Sequence, residues 1–415
     1  MMTKFKASLR QVVGRKFPKV IALSKDVLYY KYYSEQKMTG KAVAVKQLAD
    51  SVESLSYSDF VGKGPSPIVP KSPKTHAILE INTTCNIDCL MCKTSLSTRK
   101  KGKIEEAKLI QILDRYHSEG VRTVALHTIG DPLANPRLGV VFRELRKRKM
   151  RAGISTNGLL LHRFIDLFSQ YQDVCSLIRF SIDGSTKPTY EKIRFGGEWE
   201  QLIDNMNLAK ESFKKNGMTL EVAMVVSKDN VAEIGDYIVR FREYTRHPVR
   251  DMSFGLMNSL APDTTYFEEA NLFPEVTYLN QNCHAMTAST VFSHLGGEFS
   301  LCCRDYDGSL QIGSLIESTP KEIRGGDKLK EIREHYYANN FEKLPLCGNC
   351  RVVDRRINTM FSRLMSLMLF RFPEETSEFY QEHVNTICKI LSSKEGLSEN
   401  ISKFVSDDLR FNLPQ

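Results

Sequence analysis

The sequence predicts an α/β protein whose parallel sheet curls into a barrel or part of one. Six short apolar segments alternate with six helical patterns along residues 76–256, and this order is typical of parallel strands joined by helices. The strand candidates are residues 76–81, 123–126, 151–155, 178–182, 220–226 and 252–256, and the helical patterns lie near residues 104–118, 137–149, 159–170, 186–194, 198–215 and 231–244. Polar motifs follow the strands, at the barrel end where catalytic residues collect in such folds.

The pattern changes near residue 283. Two strand candidates, residues 290–294 and 298–302, flank Leu295-Gly296-Gly297, which is a hairpin signal, and a polar helix is predicted near residues 319–336. The sequence therefore divides into a basic helical extension (1–60), a proline-rich linker (61–74), a partial barrel (75–260), a small cysteine-bearing α+β module (261–351) and a helical extension (352–415).

Composition narrows the class of protein. The chain has 415 residues, of which 41% are hydrophobic, and no run of apolar residues is long enough to predict a membrane span. Ten cysteines without an export signal predict a cytoplasmic protein whose thiols bind metal or do redox chemistry. Residues 1–75 hold fourteen Lys or Arg and five Asp or Glu, which accounts for the whole net charge of +9. This segment could contact a membrane surface or an acidic partner, or simply be solvated, whereas the neutral remainder argues against a nucleic acid.

Three cysteines follow the first strand candidate, spaced as Cys85-x3-Cys89-x2-Cys92. Three thiolates in one tight loop can hold a four-iron cluster, and the fourth iron then stays open to another ligand. The residues alone leave two alternatives, because the same spacing fits a buried helix face and a zinc ion could take a ligand from elsewhere. The polar surroundings disfavour the first alternative, and the lack of a nearby Cys or His pair disfavours the second.

At these residues the chain resembles the radical S-adenosylmethionine (SAM) superfamily, whose signature C-x3-C-x-aromatic-C follows the first strand of a partial (β/α)6 TIM-like barrel. Met91 stands at the aromatic position, where the resemblance implies packing near the adenine of SAM. The resemblance covers about residues 76–260 and implies a [4Fe–4S] cluster that binds SAM.

The resemblance continues after the next three strands. Gly130-Asp131-Pro132 resembles the family's G-G-E-P turn, whose backbone and acidic side chain receive the SAM ammonium. The segment 155–158 resembles the ribose-side motif, and Ser181 and Arg194 match residues near the SAM carboxylate and ribose. The SAM contacts that the resemblance implies are Met91, Gly130, Asp131, Pro132, Ser155, Asn157, Ser181 and Arg194.

A second group of cysteines lies in the C-terminal module. Cys283, Cys302, Cys347 and Cys350 could together form a complete four-thiol ligand set for a cluster or for a structural zinc ion. Residues 298–315 resemble the SPASM/twitch extension of radical SAM enzymes, in which the first cysteine of a CC pair is the ligand. This resemblance implies Cys302 rather than Cys303 and one auxiliary [4Fe–4S] cluster.

The resemblance implies reductive cleavage of SAM and abstraction of a hydrogen atom from a substrate carbon. We expect oxidation of a hydroxylated small molecule, such as a sugar or cyclitol, with the auxiliary cluster as electron acceptor. Peptide modification and epimerisation are the alternative reactions, and a non-catalytic metal protein is the alternative class. The expected partners are a small-molecule or peptide substrate and a reduced flavodoxin or ferredoxin. The sequence names no catalytic side chain.

Overall fold

The computed structural model describes residues 33–54, 76–92, 94–259, 265–279, 283–287, 291–393 and 395–413. The predicted linker, residues 61–74, and residues 1–32 and 55–60 of the predicted basic extension lie outside the described residues. Within the rest of that extension, helix α1 spans Glu35–Ser54, where the sequence predicted helical structure. No helix in the described ranges is both long and apolar enough to cross a bilayer.

The α/β class is confirmed, and the six predicted strands form one parallel sheet in the order of the chain. They are β1 (His76–Leu79), β2 (Thr123–Ala125), β3 (Arg151–Thr156), β4 (Leu177–Ser181), β5 (Thr219–Val226) and β6 (Met252–Leu256). Each strand pairs with the next one in parallel, and β6 does not pair with β1, so the barrel is open.

Helices connect these strands where the sequence predicted them. They are α2 (Glu106–Ser118), α3 (Leu138–Lys147), α4 (Ile165–Gln170), α5 (Lys187–Ile193), α6 (Trp199–Asn216), α7 (Ile234–Phe241) and α8 (Pro248–Asp251). The alternation of side chains in β3 shows why the sheet needs them. Ala152, Ile154 and Thr156 are buried on one face, whereas Gly153 and Ser155 are only partly buried on the other. The helices cover the apolar face, which leaves the small and polar residues on the inner wall of the barrel.

The C-terminal module shares the sheet of the barrel. The hairpin strands β8 (Val291–Ser293) and β9 (Glu298–Ser300) are confirmed, but β8 also pairs in parallel with β1. With β10 (Gln311–Ser314), the hairpin extends the barrel sheet to nine strands. The hairpin thereby covers the β1 edge, which an open barrel would otherwise expose.

The rest of the C-terminal half is helical apart from one small ribbon. Its helices are α9 (Thr265–Ala270), α10 (His284–Thr287), α11 (Pro320–Gly325), α12 (Asp327–Tyr337), α13 (Pro345–Gly348), α14 (Arg355–Arg371), α15 (Ser377–Ser392) and α16 (Leu397–Lys403). Strands β7 (Thr277–Leu279) and β11 (Arg351–Val353) form the antiparallel ribbon. The predicted helix near residues 319–336 is thus two helices, which meet at Gly326.

Helix α14 covers the other edge of the barrel, along β6. Its Asn358 side chain accepts a hydrogen bond from the Leu256 amide at 3.0 Å, and its Ser362 hydroxyl donates to the Phe254 carbonyl at 2.6 Å. The N-terminal helix α1 packs against α14 in turn, and Arg356 donates to the Ser51 carbonyl at 2.7 Å. Side chains thus satisfy backbone groups that a neighbouring strand would satisfy in a closed barrel.

A buried ion pair joins Glu80, directly after β1, to Arg99, and the hairpin packs beside it. Glu80 is 1% exposed and accepts hydrogen bonds from both terminal nitrogens of Arg99, at 2.8 and 2.7 Å, and from the Thr128 hydroxyl at 2.9 Å. The imidazole Nδ1 of buried His294 lies 3.8 Å from the same carboxylate. Burial alone would raise the pKa of Glu80, but His294 and Arg99 outweigh burial and lower it to about 2.

We expect the Glu80→Gln substitution to destabilise the fold by about 3 kcal/mol at pH 7, because it leaves the Arg99 cation buried without its partner. The carboxylate contributes this stability above its unfolded pKa, near 4.5, and loses it as the pH falls towards 2. Urea denaturation should therefore show a gap between wild type and variant that narrows below about pH 4. Glu342→Gln, at an exposed glutamate, is the control, and a gap of constant size would contradict the assignment.

Candidate functional site

The loop after β1 carries the three predicted cysteine ligands. Asn82 fixes its start, because its side-chain amide donates to the carbonyl oxygens of Thr84 at 2.8 Å and Asp131 at 3.1 Å. Cys89 is buried, whereas Cys85 and Cys92 are partly buried. The loop thus places three thiols at the carboxyl end of the sheet, next to the turn that follows β2.

One polar side chain approaches the sulfur atom of each cysteine. The Asn157 amide nitrogen lies 3.7 Å from Cys85 Sγ, and a terminal nitrogen of Arg194 lies 3.5 Å from Cys89 Sγ. The Thr94 hydroxyl lies 3.1 Å from the third sulfur, that of Cys92. Such contacts can stabilise thiolates, and hydrogen bonds to cysteine sulfurs also tune the potential of an iron–sulfur cluster.

Burial favours the protonated thiols of Cys85 and Cys89. It raises the pKa of Cys85 to about 12, with a smaller contribution from the Asp131 carboxylate. Burial also raises the pKa of Cys89, although Arg194 opposes this shift. Binding of a positively charged metal centre would displace these protons, since thiolates are the ligands.

The turn after β2 is locked against the cysteine loop by Gly130. This residue has φ of 79°, and a Cβ atom there would lie 2.7 Å from the Thr84 carbonyl oxygen. Its amide donates to the Thr94 hydroxyl at 3.2 Å, and the Asp131 amide donates to the Thr84 carbonyl at 2.9 Å. Only glycine permits this close approach of two backbones.

The Asp131 side chain accepts hydrogen bonds from the end of β3. Its carboxylate, which is buried, accepts hydrogen bonds from the Leu133 amide at 2.8 Å and the Asn157 amide at 2.7 Å, and the Thr156 hydroxyl lies 2.8 Å from both oxygens. Burial raises its pKa, and the hydrogen bonds oppose this shift. These contacts occupy most of the accepting capacity of the carboxylate. The contact of Asp131 with the SAM ammonium stays a prediction, and Pro132 next to it is buried.

The remaining predicted residues lie around the same opening. The hydroxyl oxygens of Ser155 and Ser181 are 3.2 Å apart on the inner wall, at the ends of β3 and β4. The Asn157 amide donates to the Asn86 side chain at 3.0 Å, which ties the third strand end to the cysteine loop. Met91 packs against a small apolar cluster that includes Met257 and Phe267, beyond the ends of β5 and β6.

Asp183, which the sequence analysis did not assign to the site, holds Arg194 in place. It is fully buried, and its Oδ2 lies 2.6 Å from a terminal nitrogen of Arg194. Burial disfavours the charged form of Arg194, but Asp183 and then Cys89 outweigh this effect and raise its pKa. An acidic residue directly after β4 was the available signal, but its contact with Arg194 depends on the fold of the intervening residues.

The inner wall also carries a polar group that the sequence analysis missed. Arg179 pairs with Glu221 at 2.9 Å on neighbouring strands, and the Arg179 side chain stays 44% exposed. His127 lies two residues beyond β2, close enough for the charge of Arg179 to act on it, and among the described residues its Nδ1 is buried without a hydrogen-bond partner. Burial, and then the charge of Arg179, lower the pKa of His127 to about 4, so the ring is neutral at pH 7. A Cβ atom on Gly255 would meet nothing within 4 Å, so the wall borders open space.

The structure brings the four predicted cysteines of the C-terminal module together around one small cavity. Cys283, Cys302, Cys347 and Cys350 line it, and apolar residues such as Met286 and Leu310 complete the walls. Arg304 also lines this cavity, with its amide nitrogen 3.4 Å from Cys302 Sγ and a terminal nitrogen 3.5 Å from Cys350 Sγ.

A single metal ion and a cubane cluster require different arrangements of their cysteine ligands. Within the ranges that the structure describes, no three His, Cys, Asp or Glu side chains are arranged to hold one ion. A zinc ion needs all its sulfur ligands at about 2.3 Å from one point. A cubane cluster spreads its cysteines, because each binds a different iron atom. Four cysteines around one small cavity meet the ligand count of either centre.

Comparison with known proteins agrees with the motifs at this site. Residues 79–239 match the model of the radical SAM superfamily, whose members use a [4Fe–4S] cluster and SAM. The chain is 26% identical over 163 residues to the tungsten-containing aldehyde ferredoxin oxidoreductase cofactor-modifying protein of Pyrococcus furiosus. This match covers 38% of this chain and 45% of that protein. It is 26% identical over 210 residues to GTP 3',8-cyclase of Petrotoga mobilis, covering 48% of this chain and 61% of that protein.

Solved structures show a general likeness of fold. BtrN in complex with AdoMet and 2-DOIA has a TM-score of 0.45 and 14% identity, over 66% of this chain and 92% of that chain. SuiB of Streptococcus suis bound to precursor peptide SuiA has a TM-score of 0.49 and 15% identity, over 63% and 67%. The chain spans between 30% and 61% of the length of the curated relatives that it matches.

The cavity distinguishes between the two adjacent cysteines of the C-terminal module. Cys302 lines it, whereas Cys303 is exposed and is not among its lining residues. We expect Cys302→Ser to lower iron and sulfide by about half in anaerobically purified protein, because it would remove one of the two predicted four-iron clusters. Cys303→Ser is the matched control and should retain both clusters. The opposite result would assign the ligand to Cys303.

Proposed function

We propose that this chain, which carries a radical SAM domain over residues 79–239, is a radical SAM enzyme that oxidises a hydroxylated small molecule. The observation that carries this proposal is the convergence of separate strand ends on one cysteine loop. Asn157 from the end of β3 and Arg194 from beyond β4 approach the sulfur atoms of Cys85 and Cys89. Structural cysteines would not need polar partners from several strands.

Cys85, Cys89 and Cys92 would hold the first [4Fe–4S] cluster and leave one iron for SAM. The backbone of the Gly130-Asp131 turn and the hydroxyls of Ser155 and Ser181 border the same opening, where they would bind polar parts of SAM. Met91 would pack against the adenine. Cys283, Cys302, Cys347 and Cys350 would hold the auxiliary cluster. When bound, the first cluster and SAM supply a 5′-deoxyadenosyl radical that removes a hydrogen atom from a carbon, and the auxiliary cluster supplies an electron acceptor.

The polar residues of the inner wall favour a polar substrate. Among the described residues, His127 Nδ1 is buried without a hydrogen-bond partner, and the Arg179 side chain stays partly exposed beside its pair with Glu221. A neutral imidazole can accept a hydrogen bond from a substrate hydroxyl or donate one to it. Unpaired buried polar atoms are costly, so a hydroxylated ligand gains affinity by satisfying them. An alcohol carbon that loses a hydrogen atom, an electron and a proton becomes a carbonyl, which is the proposed oxidation.

We expect Cys89→Ala to abolish the formation of 5′-deoxyadenosine from SAM with dithionite as reductant, because the cluster loses one of its three protein ligands. The loss should exceed about 100-fold, since the radical cannot form without the cluster. Cys388→Ala, at a half-buried cysteine of α15, is the control and should cleave SAM at the wild-type rate. Continued cleavage by Cys89→Ala, or zinc without sulfide in the wild type, would contradict the proposal.

Removal of the auxiliary cluster should separate two activities. In Cys347→Ser we expect SAM cleavage within about threefold of wild type, because this cysteine lies in the C-terminal module and not in the loop after β1. Substrate oxidation should fail, since the electron has no acceptor. Chromatographic detection of 5′-deoxyadenosine and of oxidised product from a set of sugars and cyclitols would measure both. Oxidation at the wild-type rate would exclude a redox role for the second cluster.

A further inference from the structure

Each cysteine group has one arginine side chain in contact with a sulfur atom, but the two arginines differ in their partners. One terminal nitrogen of Arg194 lies 3.5 Å from Cys89 Sγ, and the other lies 2.6 Å from the buried Asp183 carboxylate. A terminal nitrogen of Arg304 likewise lies 3.5 Å from Cys350 Sγ. Among the described residues, however, no carboxylate forms an ion pair with Arg304. The positive charge beside the sulfur is therefore balanced by a paired carboxylate in the first group only.

The surroundings of Arg304 strengthen the effect of its charge. Its side chain is half-buried and lines the small cavity together with apolar residues such as Met286 and Leu310. Electrostatic attraction is stronger in such apolar surroundings than in water, because fewer mobile dipoles screen it. The Arg304 amide nitrogen also lies 3.4 Å from Cys302 Sγ, so this one residue contacts two of the four sulfur atoms.

The turn that carries Arg304 is held by the next residue, Asp305. The buried Asp305 carboxylate accepts hydrogen bonds from the Ser300 hydroxyl at 2.7 Å, the Ser309 amide at 2.7 Å and the Leu310 amide at 2.8 Å. These bonds occupy the carboxylate, which explains why it does not pair with the neighbouring arginine. They also fix the backbone of the turn without the Arg304 side chain. We therefore expect this side chain to be replaceable without loss of the turn.

We infer that Arg304 raises the reduction potential of a [4Fe–4S] cluster held by Cys283, Cys302, Cys347 and Cys350. This inference rests on the proposed function, which assigns the auxiliary cluster to these cysteines. Reduction adds one electron, and thus one negative charge, to such a centre. An unbalanced positive charge at the sulfur of Cys350 therefore favours the reduced form. Arg304 acts through this sulfur and not on the substrate, and it makes the centre a better acceptor for the electron that the proposed oxidation releases.

The test compares reduction potentials in the full chain that carries Cys89→Ala, because the second cluster is then the only one expected. An anaerobic redox titration, followed by electron paramagnetic resonance, gives the potential without substrate or SAM. We expect Arg304→Gln to lower the equilibrium constant for reduction by about tenfold, which is about 59 mV for a one-electron step. Arg304→Lys keeps the positive charge and should stay within about threefold of the parent, since only the planar guanidinium is lost.

Arg351→Gln is the matched control, because Arg351 directly follows Cys350 but is 45% exposed and pairs with Glu268 at 3.2 Å. Its hydrated and paired charge should affect the equilibrium constant by less than about twofold. An unchanged potential in Arg304→Gln, or an equal shift in Arg351→Gln, would overturn the inference and leave the proposed function intact. Loss of iron and sulfide from Arg304→Gln would also overturn it, since Arg304 would then be needed to hold the cluster. Zinc without sulfide in the parent would instead refute the proposed auxiliary cluster, and this inference with it.

Discussion

Asp131 connects three strand ends through its backbone and its buried carboxylate, and the rest of the site depends on that connection. Its backbone amide and carbonyl bond to the loop after β1, and its side chain bonds to Thr156 and Asn157 at the end of β3. Asn157 in turn reaches the sulfur of Cys85. A displacement of this carboxylate would therefore move the cysteine loop and the strand ends together, because hydrogen bonds to a buried group cannot be replaced by water.

An open barrel needs protection at both edges, and the chain supplies a different element for each. The β8–β9 hairpin extends the sheet beyond β1, and helix α14 covers β6 with side chains that bond to its backbone. The hairpin is continuous with the cysteine-bearing module, so the protection of β1 also attaches that module to the barrel. This arrangement connects the two cysteine groups through ordered structure, and Arg99 and Ser97 contact Tyr306 across it.

The two faces of the strands explain how one sheet can be both stable and reactive. The outer face buries residues such as Ile154, Phe180 and Val222 against helices, which supplies most of the hydrophobic stabilisation. The inner face keeps small or polar residues, including Gly153 and Gly255, which leave room beside the cysteine loop. The ion pair of Arg179 with Glu221 stays partly hydrated on this face, so its contribution to stability is small and its polarity remains available to a ligand.

The sequence by itself determined the six strands and the helices between them, because alternating and periodic apolar residues reflect local backbone geometry. It also predicted the two cysteine groups. In the structure the first group lies in one loop, and the second lines a cavity. Only the tertiary structure decided that β8 joins β1, that β3 binds the Asp131 carboxylate, and that Asp183 pairs with Arg194. These contacts join residues far apart in the chain, and their partners are selected by packing that no local pattern records.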